Sequence, residues 1–236
     1  MSHRSLWLLP GLVACASAPT LPPGVEAFDW QGRPRTAPPL TEAARAEHEA
    51  DLAAAERVLA ANPNDLTAIV WVGRRLGYLG RFREAIATYT RGLAMHPGHP
   101  ELLRHRGHRW ITVHEFARAE RDLAAAAVAC RSIADAVEPD GQPEPGRPPH
   151  STLHYNVHYH LGLARFLLGD FAGAERAWLD CLAVVGNDES RVAVTHWLWC
   201  ARMRQGDRAG AAAVVAPIRA DLDVVENRSY HALCRL

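Results

Sequence analysis

Between residues 66 and 99, LTAIVWVGRRLGYLGRFREAIATYTRGLAMHPGH, apolar positions recur at helical rather than strand spacing. Ile69, Val72, Gly73 and Leu76 fall at i, i+3, i+4 and i+7, one stripe along a helix. Phe82, Ala85, Ile86, Tyr89 and Leu93 form a second stripe. Gly80-Arg81 supplies a turn between the two, and Pro97 follows where the second helix has to stop. Gly73 costs a helix about 1 kcal/mol relative to alanine, which a second helix passing close over it would offset. Ala85 is the small residue expected opposite. Such a pair cannot bury both of its apolar faces alone, so neighbours must stack on it.

The frame returns 34 residues later as Gly107, Phe116, Ala119, Leu123 and Ala126. It returns again as Leu161, Gly162, Gly169, Asp170, Phe171, Ala174, Trp178 and Leu182, and more faintly as Leu198, Gly206, Asp207, Ala211 and Val215. The four copies run near 66–99, 100–133, 155–188 and 192–225. This pattern resembles the tetratricopeptide repeat (TPR) over roughly two thirds of the chain. Trp199 and Arg202 depart from it, standing where that family usually has Gly and Tyr. The resemblance implies an all-α fold, a right-handed TPR solenoid of about four helix–turn–helix repeats with terminal capping helices. Thr41 is placed to cap a helix running to about Ala61, and 221–236 reads as the closing cap.

Outside the repeats the pattern changes. Residues 1–15, MSHRSLWLLPGLVAC, have a basic start and a short apolar run, the outline of a secretory signal peptide. Its end, Leu12-Val13-Ala14-Cys15, resembles the lipobox of bacterial lipoproteins, which implies lipidation at Cys15. By the same resemblance, Ala16 implies export to the periplasmic side of a bacterial membrane, the outer membrane favoured; a cytoplasmic protein with a chance Leu-rich start is the alternative. Residues 16–40 carry six prolines and read as an extended linker. Between the second and third repeats, 134–154 contains EPDGQPEPGRPPH, too rich in Pro and Gly for a helix. Its acids Asp135, Glu138, Asp140 and Glu144 could fold over an arginine-bearing groove, or the segment could be a solvated excursion.

Composition narrows the function classes. At 236 residues and 48% hydrophobic content the chain has enough apolar material for one compact array. The 26 basic residues, all arginine, balance 26 acidic ones, which argues against a nucleic-acid partner. Five cysteines show no CxxC-type spacing, and Cys181 falls at a small packing position, which predicts a buried thiol.

In the TPR family the concave surface is lined by set positions of each first helix. Carried over, these give Arg74 and Tyr78, then Glu101, Arg104 and His108, then Asn156, Tyr159 and Phe166, then His196. RHRGHR (104–109) crowds donors onto a helix that must also pack, and Arg106 stands where a core leucine is usual. Such an arginine needs a buried partner, for instance Glu101 or Glu115, or a ligand. Arg74, Arg104 and His108 together could present forked donors to a carboxylate or phosphate. The carboxylate clamp of chaperone-binding TPR domains needs lysine, and this chain has none.

The His-rich segment 150–160 places His154 and His158 at i, i+4 on one helical face, as two metal ligands must be. No glutamate stands in the HExxH place, and further ligands would have to come from His196 or His231. Three readings follow. The first is a protein–protein interaction scaffold that binds an extended peptide or a partner's tail in the groove, needs no cofactor and touches a membrane only through its lipid. The second is an enzyme or small-ligand receptor built on the third repeat, with or without metal. The third is an assembly subunit that self-associates through the outer face. A fold of this kind does not choose among them.

Overall fold

The computed structural model describes residues 21–141 and 149–236, so the expected signal segment and Cys15 lie outside the described residues. A short antiparallel pair, β1 (Ala27–Phe28) and β2 (Pro34–Arg35), precedes α1 (Glu42–Ala61). Four helical hairpins follow: α2 (Leu66–Tyr78) with α3 (Phe82–Met95), and α4 (Pro100–Thr112) with α5 (Phe116–Cys130). Next come α6 (Leu153–Leu167) with α7 (Phe171–Val184), and α8 (Asp188–Arg204) with α9 (Arg208–Val215). A six-residue helix, α10 (Arg228–Leu233), packs back on α8. Each helix from α1 to α9 packs on the next, and α2, α4 and α6 also touch in series, as the first helices of a solenoid do.

The hairpins close because glycine lets a large side chain approach the helix. A Cβ at Gly73 would lie 2.3 Å from the Tyr89 ring, one at Gly162 2.3 Å from Trp178, and one at Gly107 2.6 Å from Leu123. Tyr89 is the side chain nearest Gly73, and Ala85, the small residue expected opposite, is fully buried one helical turn before it. The turns at Gly80, Gly169 and Gly206 all take positive φ, where a side chain would strain the backbone. Trp178, Tyr89, Leu102, Leu123 and Leu198 are sealed in the core, and Cys181 is buried.

Two arginines repeat a cross-repeat tie. Arg165 on α6 reaches Glu120 on α5 (3.2 Å) and the Gly173 carbonyl (3.3 Å). Arg202 on α8 reaches Glu175 on α7 (2.8 Å) and the Gly210 carbonyl (2.9 Å). Arg202, a departure from the family pattern, thus has a structural task.

Three expectations are corrected. The described part of the expected linker, 21–40, is not a solvated spacer. Ala27 is buried against Ile86 and Val113, Arg83 donates to the Glu26 carbonyl (2.8 Å), and His114 bonds the Phe28 carbonyl (2.8 Å). Arg106 pairs with neither Glu101 nor Glu115; it forks onto Asp122 of α5 at 2.7 and 2.8 Å. The fourth first helix begins at Asp188, ahead of the expected Val192, because Asn187 caps it by accepting from the Ser190 N–H at 2.8 Å.

Candidate functional site

The first helices α2, α4, α6 and α8 line one cavity of about 430 Å³. Arg74 and Tyr78 enter from α2, Arg104 from α4, Asn156 and Tyr159 from α6, and Ala193 from α8. Five of the nine sequence-predicted groove residues therefore meet in one place.

The insertion forms one wall. Its two described arms run antiparallel: the Glu138 N–H donates to the Ser151 carbonyl (2.9 Å) and the Leu153 N–H to the Ala136 carbonyl (2.9 Å). The resulting strap is pinned to the groove by a buried carboxylate. Glu138 accepts from Arg104 Nη2 at 2.7 Å and from Asn156 Nδ2 at 2.5 Å. Arg74 donates to the Pro139 carbonyl at 2.6 Å, and Gly141 lies so close to Tyr78 that an added Cβ would fall 2.0 Å from its hydroxyl. Of the two possibilities open for this segment, its described arms take the first and cover the arginine-bearing half of the groove.

The opposite wall comes from the C-terminal segment, through Glu226 and Asn227. It is held by Glu189 of α8, whose carboxylate accepts the backbone N–H groups of Val225, Glu226 (2.9 Å) and Asn227 (3.0 Å). Burial alone would raise that carboxyl, but these donors outweigh it and hold Glu189 below the usual glutamate range.

Behind Arg74 and Arg104 a smaller pocket of about 150 Å³ opens, lined by Tyr89, His105, His108 and Arg109 as well. His108 turns into it and packs on His160 with ring centroids 4.2 Å apart. Burial, reinforced by Arg104, lowers His160 to about 3 and pushes His105 well below the usual histidine range.

The remaining candidates go elsewhere. Glu101 is half-buried on α4 outside both pockets, its carboxyl raised by burial and by Glu138. Phe166 packs among Phe171, Trp178 and Trp197, and His196 stacks on Tyr230 at 4.6 Å. These two serve packing rather than the cavity. His158 lines a separate surface depression with Arg131, Arg165 and Asp180, and His154 N–H bonds Asp135. Among the described residues no three His, Cys, Asp or Glu side chains converge as a ligand set. Sequence reasoning missed Glu189, Ser190, Asn227 and Arg109 as site residues. The N-cap signal at Asn187 was the one legible pointer to the first two.

No protein-family model and no curated protein matches the chain. Solved structures do. A MamA crystal structure shares 16% identity at a TM-score of 0.54, covering 72% of this chain and 80% of its own. MamA from Desulfovibrio magneticus RS-1 shares 18% at 0.55, covering 72% and 82%. TTC0263, described as a thermophilic TPR protein of Thermus thermophilus, shares 19% at 0.56, covering 80% and 91%. The fold is that of a TPR solenoid. At these identities the likeness reaches no further than the fold.

Proposed function

We propose that this chain is a protein-interaction scaffold that takes a short segment of a partner protein into the cavity on its concave face. The single observation behind this reading is that four successive first helices contribute to one cavity of about 430 Å³. That volume lies in the range of about 300–1,000 Å³ typical of ligand sites. Because the strap and the C-terminal segment wall it on two sides, the occupant is a few residues long rather than a tail laid along the whole groove. Arg74, Asn156 and Glu226 would read its polar groups, and Tyr78 and Tyr159 its apolar ones, aromatic and arginine side chains being the usual centres of binding energy. We extend the proposal to an exported scaffold held at a membrane by lipid on Cys15, on the strength of the leader pattern.

Pull-down from crosslinked cells tests the site. Arg74→Ala and Glu226→Arg each alter the cavity, and they should each abolish capture of the partner seen with wild type. Identical capture by all three proteins would remove the cavity from the function. Labelled fatty acid should enter the wild type and not Cys15→Ser.

A further inference from the structure

We propose that the smaller pocket between α2, α3 and α4 binds a doubly charged tetrahedral oxyanion of the phosphate class. The charges there do not balance. Three guanidinium groups, Arg74, Arg104 and Arg109, line the pocket, and one carboxylate, Glu138, sits on Arg104. Arg74 is held by neutral groups: the Pro139 carbonyl, the Tyr78 hydroxyl (3.3 Å) and the face of Trp71 (4.6 Å). Arg109 likewise meets the His108 ring (3.0 Å) and the face of Phe82 (5.6 Å). Glu101 lies outside the pocket; burial and Glu138 raise its carboxyl, while Arg104 and Arg74 act to lower it. The pocket thus has two more guanidinium groups than carboxylates, with Arg74 and Arg109 half-buried and Arg104 buried, and an anion joining them would offset that excess.

The hydrogen-bond inventory points the same way. Arg104 Nε is buried without a partner on a residue only 9% exposed, and His105 Nε2, on a residue 5% exposed, makes no hydrogen bond, the Glu138 carboxylate standing 3.8 Å away. His105 Nδ1 lies 2.9 Å from Arg104 Nη1 and accepts from it, so Nε2 carries the proton and is an unfilled donor. Buried orphan donors in native proteins call for an explanation. Burial, reinforced by the arginines, lowers His105 and His108 well below the usual histidine range, so the positive excess resides in the guanidinium groups. Water alone would satisfy the donors but would leave both charges. A carboxylate offers two oxygens in one plane and a single charge. Donors arriving from two helices, α2 and α4, suit a tetrahedral dianion, and about 150 Å³ gives it room. The anion is either free or the phosphoryl end of a larger molecule whose remainder lies in the outer cavity, since both pockets share Arg74, Tyr78 and Arg104. The proposal does not depend on a partner segment binding there.

Equilibrium dialysis with labelled inorganic phosphate, and separately with glycerol 3-phosphate, tests it on the whole chain. Wild type should bind one equivalent saturably, and Arg109→Gln should bind about thirtyfold more weakly or not at all. Glu138→Gln, which removes the one carboxylate, should bind more tightly; a gain of affinity cannot come from misfolding. Phosphate bound as tightly as the ester identifies the free anion, and the ester bound tighter identifies a phosphoryl group on a larger molecule. Should neither probe saturate, or should both variants bind as wild type does, the pocket is no oxyanion site. Partner capture that persists in Arg109→Gln would separate this result from the fate of the scaffold reading.

Discussion

Two buried carboxylates hold the two walls of the cavity, and they do so in opposite ways. In the N-terminal half Glu138 comes from the strap, outside the repeats, and meets side chains of the repeats, Arg104 and Asn156, with one oxygen left unpartnered. In the C-terminal half Glu189 comes from a repeat helix and meets main-chain N–H groups of 225–227, with both oxygens used. The first is an ion pair in a crowd of arginines; the second is a neutral nest around a charge. A solenoid can thus acquire a wall by sending a carboxylate inward from a loop or outward from a helix. The inward route pairs its carboxylate with a cation, and the outward route leaves its carboxylate to main-chain and amide dipoles.

Acid should split the two halves most strongly. His105 and His160 have folded values below the ordinary 6.5, so below that pH the unfolded chain takes up protons that the folded chain refuses. Stability contributed by these buried neutral rings is complete above about pH 6.5 and falls as pH drops toward their folded values, by about 1.4 kcal/mol per pH unit for each ring. The groups facing them are Arg74, Arg104, Arg109 and Glu138. Glu189 is also depressed, so its contribution is intact above the ordinary glutamate value of 4.5 and is lost only below it. Urea denaturation at pH 7 and pH 5 should show the loss, and His160→Gln should remove one ring's share of the slope; an unchanged slope would contradict it.

Next in size, Glu138→Ala strands Arg104 and should cost about 3 kcal/mol, read from the denaturation midpoint. A midpoint equal to wild type would mean the strap is held by something else. Glu189→Gln keeps an acceptor but loses the charge, and should cost about 2 kcal/mol. Its local signature is faster amide exchange at Val225, Glu226 and Asn227 with exchange at Glu138 unchanged. Smallest, Gly141→Ala should cost about 1 kcal/mol by pushing the strap off Tyr78. Gly186→Ala, where a Cβ meets nothing within 4 Å, is its control.

The hairpins were legible because close packing forces small residues to recur at fixed spacing, and Gly73, Gly107 and Gly162 mark the three clearest. Which large residue presses on each glycine was not legible, since Tyr89 and Ile86 share one stripe with the small Ala85. The length of the insertion could be counted from the repeat frame, but its destination could not. The pairing of Arg104 with Glu138 spans 34 residues and depends on where two arms of a strap meet. Arg106 shows the same limit on a smaller scale, since a helix reading offers Glu101 and Glu115 as neighbours while the next helix supplies Asp122. Phe166 and His196 sit at concave positions in the frame, yet the frame does not reveal that Trp197 and Tyr230 cover them.

The paired arginine ties have a mechanical side. Arg165–Glu120 and Arg202–Glu175 join successive coils in the C-terminal half, where the equivalent residues earlier in the chain, Leu76 and Trp110, are apolar. At the first junction the short β-hairpin does the joining instead, clipped to Arg83 on one coil and to His114 beyond the next. Stretched end to end, the array is therefore a spring of unequal coils. Added salt weakens the ionic ties of its C-terminal turns, while the clip at the first junction keeps its hydrogen bonds to main-chain carbonyls.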